Sequence, residues 1–287
     1  MLFLLNTVGY GSASLALFPI VAYFWLTGRT ARRASLAYLR RLHQAHPEAI
    51  GPPSLWKSYC HQLHFARTIL DRLWLWQGKL EQFYFEPAGP LALRRPDGKG
   101  LLFIGAHMGS FDALRALSLA DGLTVHVVMY REHAHKINTL INALHPSANL
   151  RVFELQPGDL DAMFALKECV DRGEMIALLG DRLPPQAKHR VTWLPFLGEP
   201  APFPQHAWLL ASLLECPVFL TMALRTGRRR YRVFAELLVE RVELPRHGRA
   251  ERLQGYLQQY VQRLEQLCCL LPYQWFNFYD FWGDPDA

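Results

Sequence analysis

No charged side chain precedes Arg29, no two cysteines are spaced C-x-x-C, and no segment repeats or falls into low complexity. Each absence excludes something. With no basic region ahead of the apolar start and no small-residue cleavage site, a signal peptide is the least favoured reading of the amino terminus. The five cysteines, Cys60, Cys169, Cys216, Cys268 and Cys269, are odd in number and read as buried or idle thiols in a reducing compartment. The twelve histidines are scattered, so no metal is expected. Positive charge without a recognised nucleic-acid module argues against nucleic acid as a partner.

What is present is apolar and basic. Of 287 residues, 51% are hydrophobic and 13% aromatic, and the net charge is +6. Such a surface attracts polyanions, among them anionic lipid and acidic proteins. Residues 13–26, ASLALFPIVAYFWL, are strongly apolar, within an uncharged stretch long enough to span a bilayer. Gly9, Gly11, Ser12, Ser14 and Pro19 interrupt it. Arg29, Arg32, Arg33, Arg40 and Arg41 follow, which keeps the rest of the chain cytoplasmic under the positive-inside rule. A membrane-embedded or interfacial anchor is the leading reading, and a buried core helix is the alternative. The chain divides into a membrane-associating segment at 1–28, a helical region at 29–85 and an α/β domain at 86–287.

Helices are expected at 30–46, 55–80, 110–120, 133–144, 159–172, 205–215 and 249–271. Leu253, Leu257, Val261, Leu264, Leu267 and Leu271 mark one face of the last, at the 3.6-residue period. Strands are expected at 91–94, 101–105, 123–130, 150–154, 174–179, 217–224 and 230–238. Alternation of this kind predicts an α/β fold with a mainly parallel sheet flanked by helices. The short turn between the last two strands makes that pair antiparallel.

Residues 101–117, LLFIGAHMGSFDALRAL, place a histidine at the exit of a buried strand and a carboxylate five residues later. His-x₄-Asp/Glu is weak as a bare pattern, and the chain holds two cases, His43 with Glu48 and His107 with Asp112. His43 lies in a charged helix that runs into Pro47 and reads as a solvated helix end. His107 lies at the carboxyl end of a strand, where open α/β sheets bind ligands. Gly105 and Gly109 allow close backbone approach, and Ser110 can cap the next helix. Within one helix an offset of five separates side chains by about 140°. With the histidine in the loop and Asp112 in the first turn, the two can fold together. Asp112 would then hold one imidazole nitrogen and leave the other free as a base.

In this order HMGSFD, MYRE, LLGDR, PFLGEPAPFPQHAWLLASLLECPVF and QWFNFYDFW, together with FPIVAYFWLTGRTARRASLAYLRRL near the start, resemble the bacterial lipid A lauroyl/myristoyl acyltransferases. More distantly the chain is similar to the glycerolipid acyltransferases that share the His-x₄-Asp/Glu motif. The resemblance implies a glycerolipid acyltransferase-like fold and an O-acyltransferase at the cytoplasmic face of a bacterial inner membrane. The donor would be an acyl thioester, on acyl carrier protein or coenzyme A, and no cofactor is needed. The acceptor would be a hydroxyl of a lipid A-like, other glycolipid or pigment lipid. His107 would act as general base with Asp112 orienting it, and no acyl-enzyme would form. Backbone N–H groups near Gly109, or a nearby cation, would receive the oxyanion. Arg131, Asp181 and Arg182, each following a strand end, would shape the substrate site together with Gly109 and Ser110. The RTGRRRYR turn would meet anionic lipid or an acidic carrier protein. The competing class is a non-catalytic lipid-binding or carrier-docking protein that keeps the fold.

Overall fold

The computed structural model describes residues 2–87, 96–130, 150–155, 159–182 and 190–283. The strand expected at 91–94, the helix expected at 133–144, and Arg131 lie outside the described residues.

Three helices open the chain: α1 (Leu2–Thr27), α2 (Arg29–Ala45) and α3 (Leu55–Leu75). Helix α1 breaks at Gly9, whose φ of 73° and ψ of 163° leave the helical region. From Gly9 to Thr27 it is long and apolar enough to cross a membrane, yet only 11% of that stretch is buried by the rest of the protein. The core-helix alternative therefore fails. Leu15, Tyr23, Phe24 and Leu26 are all more than 60% exposed. Helix α1 is tied along α3 instead. Tyr10 Oη donates to Asp71 Oδ1 (2.5 Å), Tyr59 Oη to the Phe18 carbonyl (3.0 Å) and Trp25 Nε1 to Ser58 Oγ (3.2 Å). Helix α3 starts at the Ser54 cap, which accepts from the Lys57 N–H. It ends at Leu75, five residues before the expected stop.

The rest of the chain builds a seven-stranded sheet and a separate hairpin. In chain order come β1 (Tyr84–Pro87), β2 (Leu102–Gly105), α4 (Phe111–Ala120), β3 (Val125–Tyr130) and β4 (Leu150–Leu155). Then follow α5 (Leu160–Asp171), β5 (Met175–Leu179), β6 (Val191–Phe196), β7 (Glu199–Pro204) and α6 (His206–Leu214). The chain closes with β8 (Val218–Gly227), β9 (Arg230–Val239) and α7 (Arg249–Leu270). The order across the sheet is β1-β9-β8-β2-β5-β3-β4. Every pair is parallel except β8 with β9, which form the antiparallel hairpin expected from their short turn. The β6–β7 hairpin was not expected, because Pro195, Pro200, Pro202 and Pro204 demote a strand pattern; the structure accommodates them in a sheet of two edges.

Side-chain alternation along β2 sorts the layers. Leu102 and Ile104 join a core shared with α2, α5, α6 and α7, whereas Leu101 and Phe103 face the opposite side. On that second side α4 contributes Ala113 and Ala116, packed with Leu70 and Trp74 of α3. Helix α7 buries Leu253, Leu257, Val261, Leu264 and Leu267, the stripe read from its periodicity. Its Tyr260 Oη donates to the Gly105 carbonyl (2.9 Å) and so supports the end of β2.

Candidate active site

Strands β2 and β5 leave the sheet in step. Gly105 is the register partner of Leu179, and the Gly180 N–H donates to the Gly105 carbonyl (2.9 Å). Two residues beyond each partner stand His107 and Asp181. The Asp181 Oδ1 lies 2.7 Å from His107 Nδ1, and its Oδ2 accepts from the His107 backbone N–H (2.9 Å). Oδ2 also accepts from Trp275 Nε1 (3.1 Å) and Asn277 Nδ2 (2.9 Å). Asp181 is fully buried. Burial alone would push its carboxyl up. The imidazole of His107, the Arg182 charge and the Asn277 amide together outweigh that and hold it near about 2.

This corrects the expected pairing of His107 with Asp112. The two oxygens of Asp112 are taken from the other side, by Arg72 Nε (2.5 Å) and Trp76 Nε1 (2.7 Å) at the end of α3. Asp112 enters at the first turn of α4, on the face that packs against α3, and its carboxylate pairs with the cation it meets there. Among the described residues no hydrogen bond joins it to His107.

The loop from His107 to Ser110 is braced by backbone contacts. Met108 N–H donates to the Ala106 carbonyl, Gly109 N–H to the Gln274 carbonyl and Ser110 N–H to the Ala223 carbonyl. The amides near Gly109 are thus engaged, and the expected oxyanion donors there are not available in this conformation. Gly109 has φ 66°, and a Cβ at that position would lie 2.2 Å from the Ala223 carbonyl oxygen. Only glycine fits. Ser110 is buried and its Oγ accepts from the Ala113 N–H (3.1 Å), the geometry of a helix cap. Arg182 is not paired with Asp181. Its Nε donates to Asn277 Oδ1 (2.6 Å) and Nη2 to the Phe276 carbonyl (2.9 Å).

Residues 274–277, QWFN, therefore strap the site. Besides the contacts above, the Phe276 N–H donates to the His107 carbonyl (2.7 Å). Gln274 exchanges hydrogen bonds with the backbone of Arg225 in β8. Buried His61 of α3 in turn bonds the Trp275 carbonyl (2.8 Å) and Ser35 Oγ (3.0 Å). The roles of Gln274, Asn277 and Arg72 come from contacts between residues far apart in the chain and leave no signal in local spacing.

His107 keeps Nε2 unpaired among the described residues, and its side chain is 27% exposed. An imidazole oriented through Nδ1 by a buried carboxylate, with the other nitrogen open, can take a proton. Beside it an apolar cleft opens under α4, lined by Gly105, Ala106, Met108, Phe111, Leu114 and Met222. A second small recess under α4 is lined by Arg115, Ser118, Asp121 and Leu123. The decoy His43 bonds the Ile50 carbonyl (2.9 Å), and Glu48 faces His46 instead.

One group of metal-capable donors occurs among the described residues: His126, Cys169 and Glu174, all within 4.8 Å of one another. It lies at the amino-terminal edge of the sheet, opposite His107. Arg172 donates to both Glu174 and Cys169, and His126 also bonds Glu174. Arg172 and His126 overcome the effect of burial and hold Glu174 down to about 2. The carboxylate is satisfied without an ion. All five cysteines are free thiols.

The fold and the site together define an α/β protein with a His–Asp pair at the carboxyl edge of a mainly parallel sheet. No protein-family model matches the chain, and no match was found among curated proteins. Among solved structures it is similar to a 1-acyl-sn-glycerophosphate (LPA) acyltransferase from Thermotoga maritima. The identity is 13%, the TM-score 0.38, and the match covers 89% of this chain and 97% of that one. So loose a likeness transfers no residue role.

Proposed function

We propose that this chain is a membrane-associated O-acyltransferase that moves a fatty acyl group from a thioester donor, acyl carrier protein or coenzyme A, to a lipid hydroxyl. The observation that carries the reading is His107, with Nδ1 held by buried, ionised Asp181 and Nε2 without a partner among the described residues. The order of the sequence blocks supports the same reading.

In this mechanism the acceptor hydroxyl donates to His107 Nε2, which takes its proton as the oxygen attacks the thioester carbon. The imidazolium so formed sits against Asp181, whose charge is preserved by its four donors. General-base assistance of this kind contributes about 10²–10⁴-fold. Collapse of the tetrahedral intermediate breaks the carbon–sulfur bond, and the proton passes from His107 to the leaving thiolate. No acyl-enzyme is required, since Ser110 spends its hydroxyl as a cap. Helix α1 brings the enzyme to lipid by its exposed apolar face, with Arg29, Arg33 and Arg40 exposed nearby to meet anionic headgroups. A lipid A-like or other glycolipid acceptor at the inner membrane's cytoplasmic face fits the sequence blocks.

The test is transfer from a radiolabelled acyl thioester to lipid extracts, with lipid mass spectrometry of a deletion strain to find species short of one acyl chain. His107→Ala is expected to abolish transfer. Undiminished transfer by this variant overturns the catalytic reading and leaves a lipid-binding protein.

A further inference from the structure

Two arginines close to Asp112 are not fully used. Arg72 reaches its carboxylate through Nε only. Arg115, one turn further along α4, is 7% exposed, and its Nε is buried with no hydrogen-bond partner. Both guanidiniums lie over the same indole, that of Trp76, at 5.7 Å and 6.0 Å from the ring centroid. The Trp76 N–H is itself committed to Asp112. Two cations thus lie near one carboxylate and one indole, and only Arg72 is hydrogen-bonded to that carboxylate. Burial and the neighbouring Arg72 both push the Arg115 guanidinium toward losing its proton, with Asp112 opposing.

An arrangement of this kind is costly when empty. A buried polar group without a partner costs about 1–3 kcal/mol, and more when charged. A guanidinium presents five donors in a planar fork suited to phosphate or carboxylate. The two guanidiniums outnumber Asp112 by one charge. Arg115 also lines a small recess under α4, and the exposed Asp121 lines the same recess.

We propose that Arg72 and Arg115, both held against the Trp76 indole, bind a phosphodiester group. Asp112 is the anchor that fixes Arg72 for this purpose. That chemistry occurs in a glycerophospholipid headgroup, and coenzyme A offers a related phosphate in its diphosphate bridge and 3′-phosphate; the test separates these sources. The inference concerns binding alone and stands whether or not the chain transfers acyl groups.

The experiment is thermal unfolding of the full chain in detergent with dimethyl phosphate, coenzyme A or sn-glycero-3-phosphoglycerol. Dimethyl phosphate is expected to raise the Tm of the wild type, less so at high salt. Arg115→Met is expected to lose that rise while melting at or above the wild type without ligand, since it removes an unpaired buried charge. Arg115→Lys retains the charge but not the fork and is expected to respond weakly. A larger rise with coenzyme A places the donor there; a larger rise with glycerophosphoglycerol places a lipid headgroup there. A wild type indifferent to all three probes overturns the proposal, as does an undiminished response in Arg115→Met.

Discussion

His107 Nδ1 and Asp181 Oδ1 stand 2.7 Å apart although 74 residues of chain separate them. The contact follows from sheet register, because each residue lies two positions past one of the partners Gly105 and Leu179. Asp112, only five residues from His107, instead serves Arg72 and Trp76.

The two carboxylates are therefore expected to respond differently to the same change. Asp181→Asn should lower kcat by about 10²–10⁴-fold, approaching the loss in His107→Ala. Asp112→Asn should act on stability and KM more than on kcat, because it loosens the α3–α4 junction and frees Arg72. Steady-state kinetics of the two variants decide the matter, and the reverse ranking would restore the local His107–Asp112 pairing.

Asp71 is the polar knot behind the site. Fully buried, it accepts from Tyr10 Oη (2.5 Å), Tyr231 Oη (2.7 Å) and Arg225 Nε (3.0 Å). Asp71→Ala leaves Arg225 as an uncompensated, nearly buried charge. Loss of one partner of a buried pair costs about 3–5 kcal/mol. Urea titration should show a loss of that size, and proteolysis should become easier around α1, which Tyr10 joins to the sheet.

Stability should fall with acidification well before the carboxylates titrate. Burial holds His61 down to about 3, and His64 and His206 to about 4. The unfolded chain binds protons at these imidazoles near pH 6.5, whereas the folded chain does not. Their contribution is thus complete above pH 6.5 and is lost as pH falls toward 4. Where all three differ, the slope reaches about 4 kcal/mol per pH unit. Denaturation midpoints between pH 7 and pH 5 measure it, and His61→Gln should reduce the slope by about one third. A flat profile over that range would contradict the burial of these rings.

Tyr23, Phe24 and Leu26 project from α1 into solvent in the isolated chain. Replacing all three by serine should shift the protein from the membrane to the soluble fraction. Because they touch little protein, the effect of each on folding stability should stay within about 0.5 kcal/mol. Continued attachment would mean that the basic surface alone suffices.

Much of the fold was legible because it rests on local periodicity. The leucine stripe of α7 appears in the chain at helical spacing and lies in the core at the same positions. Strands β2, β3, β5, β8 and β9 are short apolar runs bounded by turns and occur within a few residues of their expected places. The proline-rich β6–β7 hairpin is not legible in the sequence, because its strand character comes from pairing and not from composition.

By itself the sequence determined that a histidine would stand at the mouth of a parallel sheet, next to a capped helix and downstream of an apolar helix. Those features depend on neighbours a few residues apart. Which carboxylate holds the imidazole, which amides are spent on the QWFN strap, and where Arg72 and Arg115 meet were decided only by tertiary structure. Strand register and helix packing bring together groups that no spacing along the chain reveals. The buried carboxylates Asp71, Asp112 and Asp181 settled on the partners that packing placed within hydrogen-bond reach.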